Sequence, residues 1–197
     1  MIQPIASARV QSVRSTLARK AAEGSFVMPD CLKTARLVLT RPGPQHQSMA
    51  LNYFTDPDIA QYLGGVRDKD GAWRTLAMLC GAWDLMGFGT YVIEYDGVGI
   101  GLVGFWFPDD WPEIELGYSL RPEHRGQGYV TEAGRAVVDT AWRAGIPSLV
   151  SYINPANLPS QRVAKRIGAR PAQSVTLSGH FALVFRYPRP SALENAA

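Results

Sequence analysis

The stretch that most constrains this chain is Arg121-Pro122-Glu123-His124-Arg125-Gly126-Gln127-Gly128-Tyr129-Val130-Thr131-Glu132-Ala133, with strand-like sequence before it and a helix after it. Two glycines one residue apart let the backbone turn sharply and bring its N–H groups close to an anion. The first turn of the following helix adds N–H groups without internal partners and the positive end of the helix dipole. Val130, Ala133, Gly134, Val137 and Ala141 recur at helical spacing and form one apolar face. A third small residue, as a dinucleotide-binding turn requires, is missing where Thr131 stands, and the Gly-Lys-Ser/Thr of a P-loop is absent. By itself such a turn is weak evidence and reads first as an ordinary strand-to-helix loop.

Composition narrows the partners. The chain has 197 residues, 46% hydrophobic and 19% charged, as expected for one globular domain with a substantial core. No apolar run approaches the roughly 20 residues of a membrane span. Residues 1–31 carry two of the three net positive charges, which leaves no basic stripe with interleaved aromatics for nucleic acid. Cys31 and Cys80 have neither metal-ligand nor disulfide-framework spacing, and His46, His124 and His180 are scattered, so no metal site and no catalytic dyad are expected. A reducing cytoplasm is the default location.

In order, residues 1–31 read as an extension with a short helix around Ala8–Ala22, an organellar peptide or a start at Met28 being the alternatives. Residues 32–190 read as the domain and 191–197 as a tail. Leu32 to Pro42 predicts a strand, and 44–63 is helical with Asp56-Pro57 as cap and first residue. Residues 70–86 predict a helix whose buried face is Trp73, Leu76, Ala77, Cys80 and Trp83. Phe88–Tyr95 and Gly101–Phe107 around Asp96-Gly97 form a hairpin. Strand 113–120 delivers the chain to the glycine turn, and 148–153 lies parallel to it after the central helix. Asn157-Leu158-Pro159-Ser160 opens a helix to Ile167 stopped by Gly168, and 175–177 with 181–187 close the sheet. This is an α/β chain with a mixed sheet of about seven strands and helices on both faces.

Three segments together resemble the GNAT acetyltransferase superfamily, and most closely its RimJ/RimL-like branch of ribosomal-protein N-terminal acetyltransferases. They are Thr34 to Arg41, similar to Thr-x-Arg-Leu-x-Leu-Arg; Arg125-Gly126-Gln127-Gly128-Tyr129-Val130, similar to Arg/Gln-x-x-Gly-x-Gly/Ala; and Asn157-x-x-Ser160-x-x-Val163-x-x-x-x-Gly168. Val130 and Ala169 depart from the family pattern. The resemblance implies a GNAT fold in which strands 113–120 and 148–153 splay apart and receive the pantetheine arm of acetyl-CoA. It places the pyrophosphate on the turn, with Leu120, Arg125, Gly126, Gln127, Gly128, Tyr129, Val130, Thr131, Asn157 and Ser160 as cofactor-binding residues and a backbone N–H near Tyr118 to Leu120 facing the developing oxyanion.

Acetyl transfer needs the neutral amine. At pH 7 a lysine-like amine is about 0.04% neutral and an α-amine roughly 10–20% neutral, so the need for a base depends on the acceptor. Glu115 is the candidate base, on the same strand face as Glu113 and Gly117, its alternative being a solvated strand residue. The resemblance gives Ser160 the protonation of the coenzyme thiolate; its alternative is a helix cap. No tyrosine lies between Asn157 and Gly168 to serve instead. Trp106, Glu113 and Tyr118 are the candidate acceptor-binding residues, and acidic residues near aromatics suit a cationic acceptor. The expectation is an N-acetyltransferase acting on a protein N-terminus or a small amine, without nucleic acid, membrane or metal, with homodimerisation by analogy only; the alternative is a non-catalytic acyl-CoA sensor.

Overall fold

The computed structural model describes residues 15–16 and 28–190, apart from 62, 110 and 178. The helix expected around Ala8–Ala22 lies outside this range except for Ser15 and Thr16, which are helical, and the tail 191–197 lies outside it altogether.

The elements run β1 (Cys31–Lys33), β2 (Val38–Thr40), a 3-10 turn (Pro44–His46), α1 (Gln47–Phe54), α2 (Pro57–Ala60), α3 (Lys69–Met86), β3 (Thr90–Tyr95), β4 (Val98–Trp106) and β5 (Glu115–Leu120). A second 3-10 turn (Pro122–His124) leads to α4 (Tyr129–Arg143), β6 (Val150–Ile153), α5 (Leu158–Ile167), β7 (Arg170–Leu177) and β8 (His180–Arg186). The eight strands form one mixed sheet in the order β1-β2-β3-β4-β5-β6-β8-β7. Every described pairing is antiparallel except β5 with β6. The strand beyond the expected seven arises because the opening segment doubles back at Thr34–Leu37, where Leu37 N–H donates to Thr34 Oγ1 and Thr34 N–H donates to Leu37 O. Likewise 44–63 is a 3-10 turn and two helices, since Asp56 accepts from the N–H groups of Asp58 and Ile59 and Pro57 restarts the helix.

Strand alternation assigns side chains to two layers. Tyr91, Ile93, Val103, Phe105, Leu116 and Leu120 share a core with Ala133, Val137 and Ala141 of α4 and Ala164 and Ile167 of α5. Val92 and Leu102, directly paired between them, pack with Tyr53, Ile59, Ala72, Leu76 and Leu79 of α1 to α3 on the opposite face. The face expected for α3 is therefore corrected. Ala72, Leu76, Leu79 and Trp83 are buried, while Trp73 is 55% exposed, Ala77 is exposed and Cys80 is half-buried. The Trp83 ring meets Tyr91 edge-on at 4.8 Å, which sets that end of the helix against the sheet. Met28, assigned by sequence to the extension, is fully buried in the core, and its N–H bonds to Gly87.

Helix α4 approaches α5 closely because Gly134 has no side chain; a Cβ there would lie 2.5 Å from Ile167 Cδ1. Its first turn is tied to the opening hairpin through Glu132. That carboxylate accepts from Thr34 Oγ1 at 2.6 Å, Arg36 N at 2.9 Å and Arg36 Nε at 2.7 Å. No helix among the described residues is long and apolar enough to cross a membrane.

Partial burial disfavours the charged form of Glu132, but the Thr34 and Arg36 bonds prevail and hold it below its ordinary value of 4.5. Its stabilisation is therefore present above that value and lost as pH falls through the lower folded value. Glu132→Gln should lower stability by about 1 to 2 kcal/mol near neutrality in urea unfolding. The difference from wild type should shrink when the titration is repeated in acid.

Candidate active site

The site is organised by a parallel strand pair that parts almost at once. β5 and β6 share a single aligned position, Glu115 with Val150, beside a bond from Val150 N–H to Ile114 O. One residue on, Ser151 Oγ donates to Leu116 O at 2.6 Å, so a side chain stands where a strand N–H would. Because Ile114 and Leu116 present their carbonyls to β6, the period of two turns the N–H and C=O groups of Tyr118 and Leu120 towards the same opening gap. These are the groups expected to face the thioester. Leu120 itself sends its side chain into the core and its carbonyl accepts from Arg125 Nε at 3.2 Å, so its contribution is a backbone one.

The glycine turn lies at the end of this strand. Gly126 and Gly128 have φ of 78° and 82°, a region open to glycine at little cost. A Cβ on Gly126 would meet nothing within 4 Å, so the turn lies open. Side chains of Asp56, Asp68 and Asn157 cap α2, α3 and α5, whereas α4 starts on Gly128 with no side-chain cap. An uncapped helix start with an open glycine backbone fits a pyrophosphate, with Gly126 to Thr131 supplying N–H groups. The side chains expected to help do other work. Arg125 braces the turn through Leu120 O and Asp58 O, and Gln127 reaches back to Glu123 O. Arg36 holds the Gln127 carbonyl from outside at 3.1 Å and lies 4.5 Å above the buried Tyr129 ring. Neither Arg36 nor Glu132 is singled out by sequence alone, although both sit inside quoted motifs.

At the α5 end, Asn157 rather than Ser160 is the cap, its Oδ1 accepting from Ser160 N at 3.1 Å. The Ser160 hydroxyl is thus released for another partner. Tyr118 Oη donates to Ser160 O at 2.9 Å, and Ser160 Oγ donates to Tyr118 Oη at 3.2 Å. Ser151 has given its one hydrogen to Leu116, so Tyr187 Oη is the donor in the 3.0 Å contact with Ser151 Oγ. Burial raises the Tyr118 phenol to about 12, and it raises Tyr187 as well. Both phenols therefore stay protonated. Tyr118, expected at the acceptor, bridges the gap to the first turn of α5; strand alternation places it on the face opposite Glu115.

Glu115 lies at the closed end of the gap, on the α1 to α3 side, opposite Trp106 of β4. Burial pushes its carboxyl up to about 7, against the bonds from Trp111 Nε1 at 2.7 Å and the Tyr152 backbone N–H. A carboxylate with that affinity for protons suits base work near neutrality. Glu113 does not join it: both of its oxygens are held by Arg186, at 2.6 and 2.7 Å. No cluster of three metal-ligating side chains occurs among the described residues.

Comparison with known proteins agrees with this geometry. The model of the family described as acetyltransferase (GNAT) domain matches residues 36–170. The crystal structure of an acetyltransferase from Agrobacterium tumefaciens superposes with a TM-score of 0.72 at 34% identity, covering 83% of this chain and 96% of that one. RimL, described as a ribosomal L7/L12 alpha-N-protein acetyltransferase in complex with coenzyme A, shares the fold with a TM-score of 0.66 at 17% identity, over 82% of this chain and 96% of its own. The FsC-acetyl coenzyme A-N(2)-transacetylase of Aspergillus fumigatus is 28% identical over 153 residues, 70% of this chain. The matched segment spans 63% of that relative's length. With a family match over most of its length and the splayed pair and glycine turn in place, the chain belongs to the GNAT acetyltransferase family.

Proposed function

We propose that the protein is an N-acetyltransferase that moves the acetyl group of acetyl-CoA to a primary amine by direct attack in a ternary complex. The single observation that carries this reading is the strand pair that parts after one aligned position, with Glu115 at its closed end and an open, uncapped glycine turn at the other. Acetyl-CoA, when bound, supplies an acyl group activated as a thioester. The chain's own residues do the rest. N–H groups of Gly126 to Thr131 bind the pyrophosphate, and the backbone of Tyr118 and Leu120 offers the pantetheine arm the pairing that β6 withholds. Asn157, as cap, fixes the start of α5 beside that arm.

Glu115 takes the proton from the incoming ammonium, directly or through water, on the α1 to α3 side. Ser160 faces the sulfur side and returns a proton to the leaving thiolate. Its hydroxyl donates to the Tyr118 phenol oxygen at 3.2 Å and turns from there to the sulfur to deliver its hydrogen, which water restores to Ser160. This assigns Tyr118 to the cofactor side and leaves Trp106, opposite Glu115, as the aromatic wall for the acceptor. The acceptor is a protein N-terminus or a small amine. The RimJ/RimL-like motifs favour the former. A cytoplasmic location belongs to the same reading.

Thiol release from acetyl-CoA, measured over a panel of N-terminal peptides, polyamines and aminoglycosides, tests this. Turnover on at least one acceptor is expected; tight coenzyme binding with no turnover on any would favour a sensor instead. Glu115→Gln should lower kcat/KM by about 10²-fold or more, the usual scale for a positioned base, with coenzyme affinity retained. Gly128→Val strains the left-handed helix start and covers the cradle. It should weaken coenzyme A binding at least about tenfold by calorimetry, and unchanged affinity would count against the cradle.

A further inference from the structure

Trp111 lies in the turn between β4 and β5, outside every motif that marks the family. Its N–H closes the turn on Pro108 O at 3.0 Å, and Pro112 follows it. The indole is partly buried against the core and meets the Tyr152 ring edge-on, with centroids 6.2 Å apart and planes at 85°. From that seat Nε1–H donates to Glu115 Oε2 at 2.7 Å, the short distance of a bond to a charged acceptor. An indole N–H can only donate, so it stabilises the carboxylate over the acid.

We propose that Trp111 is the positioning residue of the acetyl-transfer base: its indole N–H aims the Glu115 carboxylate and keeps it ionised near neutral pH. This rests on the reading of Glu115 as the base. The other groups around Glu115 make Trp111 decisive. β4 presents the uncharged Trp106 opposite it. Tyr152 of β6, and Tyr118 of β5 and Tyr187 after β8 from the other face, feel the carboxylate's charge and carry raised phenol values, so all three remain neutral. Glu113, two residues before it, and Arg186 of β8 neutralise one another in a bidentate pair. Against burial, the carboxylate thus depends on two donors, the Trp111 indole and the Tyr152 backbone. Only the first is a side chain that evolution or mutation can remove without breaking the sheet.

The test reads Glu115 directly. Side-chain ¹³C-labelled glutamate is followed by NMR through a pH titration, with the Glu115 resonance assigned by Glu115→Gln. Trp111→Phe, and Trp111→benzothienylalanine as the same-sized ring lacking N–H, should each raise the titration midpoint by about one pH unit or more. The acid limb of the kcat/KM profile should move to higher pH by the same amount, with the alkaline plateau retained. A midpoint unmoved in either folded variant overturns the proposal and leaves Trp111 a purely structural residue, even if Tm falls. If Glu115→Gln keeps wild-type kcat/KM, the base reading fails separately, and the NMR midpoint still decides whether Trp111 governs this carboxylate.

Discussion

The architecture depends on two neighbouring parallel strands being bonded at one end and kept apart along the rest. A sheet normally closes such a gap, because unpaired backbone groups are costly when buried. Here closure is opposed from both sides. Ser151 places its hydroxyl on Leu116 O, and the Tyr118 phenol spans from β5 to the first turn of α5. Together they substitute side-chain oxygens for the strand partner and leave the next amides available to a bound chain of similar chemistry. The helices follow from this: α4 must start where β5 ends, and α5 must stand beyond β6, if the gap is to have a floor and a wall.

Holding α4 in that position falls to Glu132, which ties the glycine turn to the opening hairpin 96 to 98 residues earlier in the chain. Two of the three segments that mark the family in sequence are thus one object in space. Thr34 and Arg36 serve the first turn of α4, and Arg36 also grips the carbonyl of Gln127 between the two glycines. The turn is braced from outside by Arg36 and from inside by Arg125. Neither needs to touch a phosphate to matter for the proposed cradle, because both hold its backbone in place.

The polar chemistry is divided between the two faces of β5 by strand alternation. Odd positions, Glu115 among them, turn to α1 to α3, the side the proposed reaction gives to the acceptor; even positions, Tyr118 among them, turn to α4 and α5, the side it gives to the coenzyme. One strand therefore presents a proton acceptor on one face and a phenol with a serine on the other. In the proposed reaction, proton removal and proton return therefore fall to different groups and need not compete for one.

Much of this was legible from residue order. The glycine pair, the small face of α4, the Asp56-Pro57 start, the Asp96-Gly97 hairpin and the Asn157 to Gly168 helix are local, since each rests on φ preferences, capping and periodicity within a few residues. The strand face of Glu115 was legible too, because alternation along one strand is a local property. What the chain order left open was decided by contacts between distant segments. These include which of Asn157 and Ser160 caps α5, that Glu113 is claimed by Arg186, that Trp73 faces outward, and that Tyr118 bonds Ser160. Hydrogen bonds such as Trp111 to Glu115 depend on where two side chains meet, and periodicity specifies directions but never meetings. Local sequence thus determined the elements and their faces, whereas packing alone determined which polar groups are already satisfied and which stay free for chemistry.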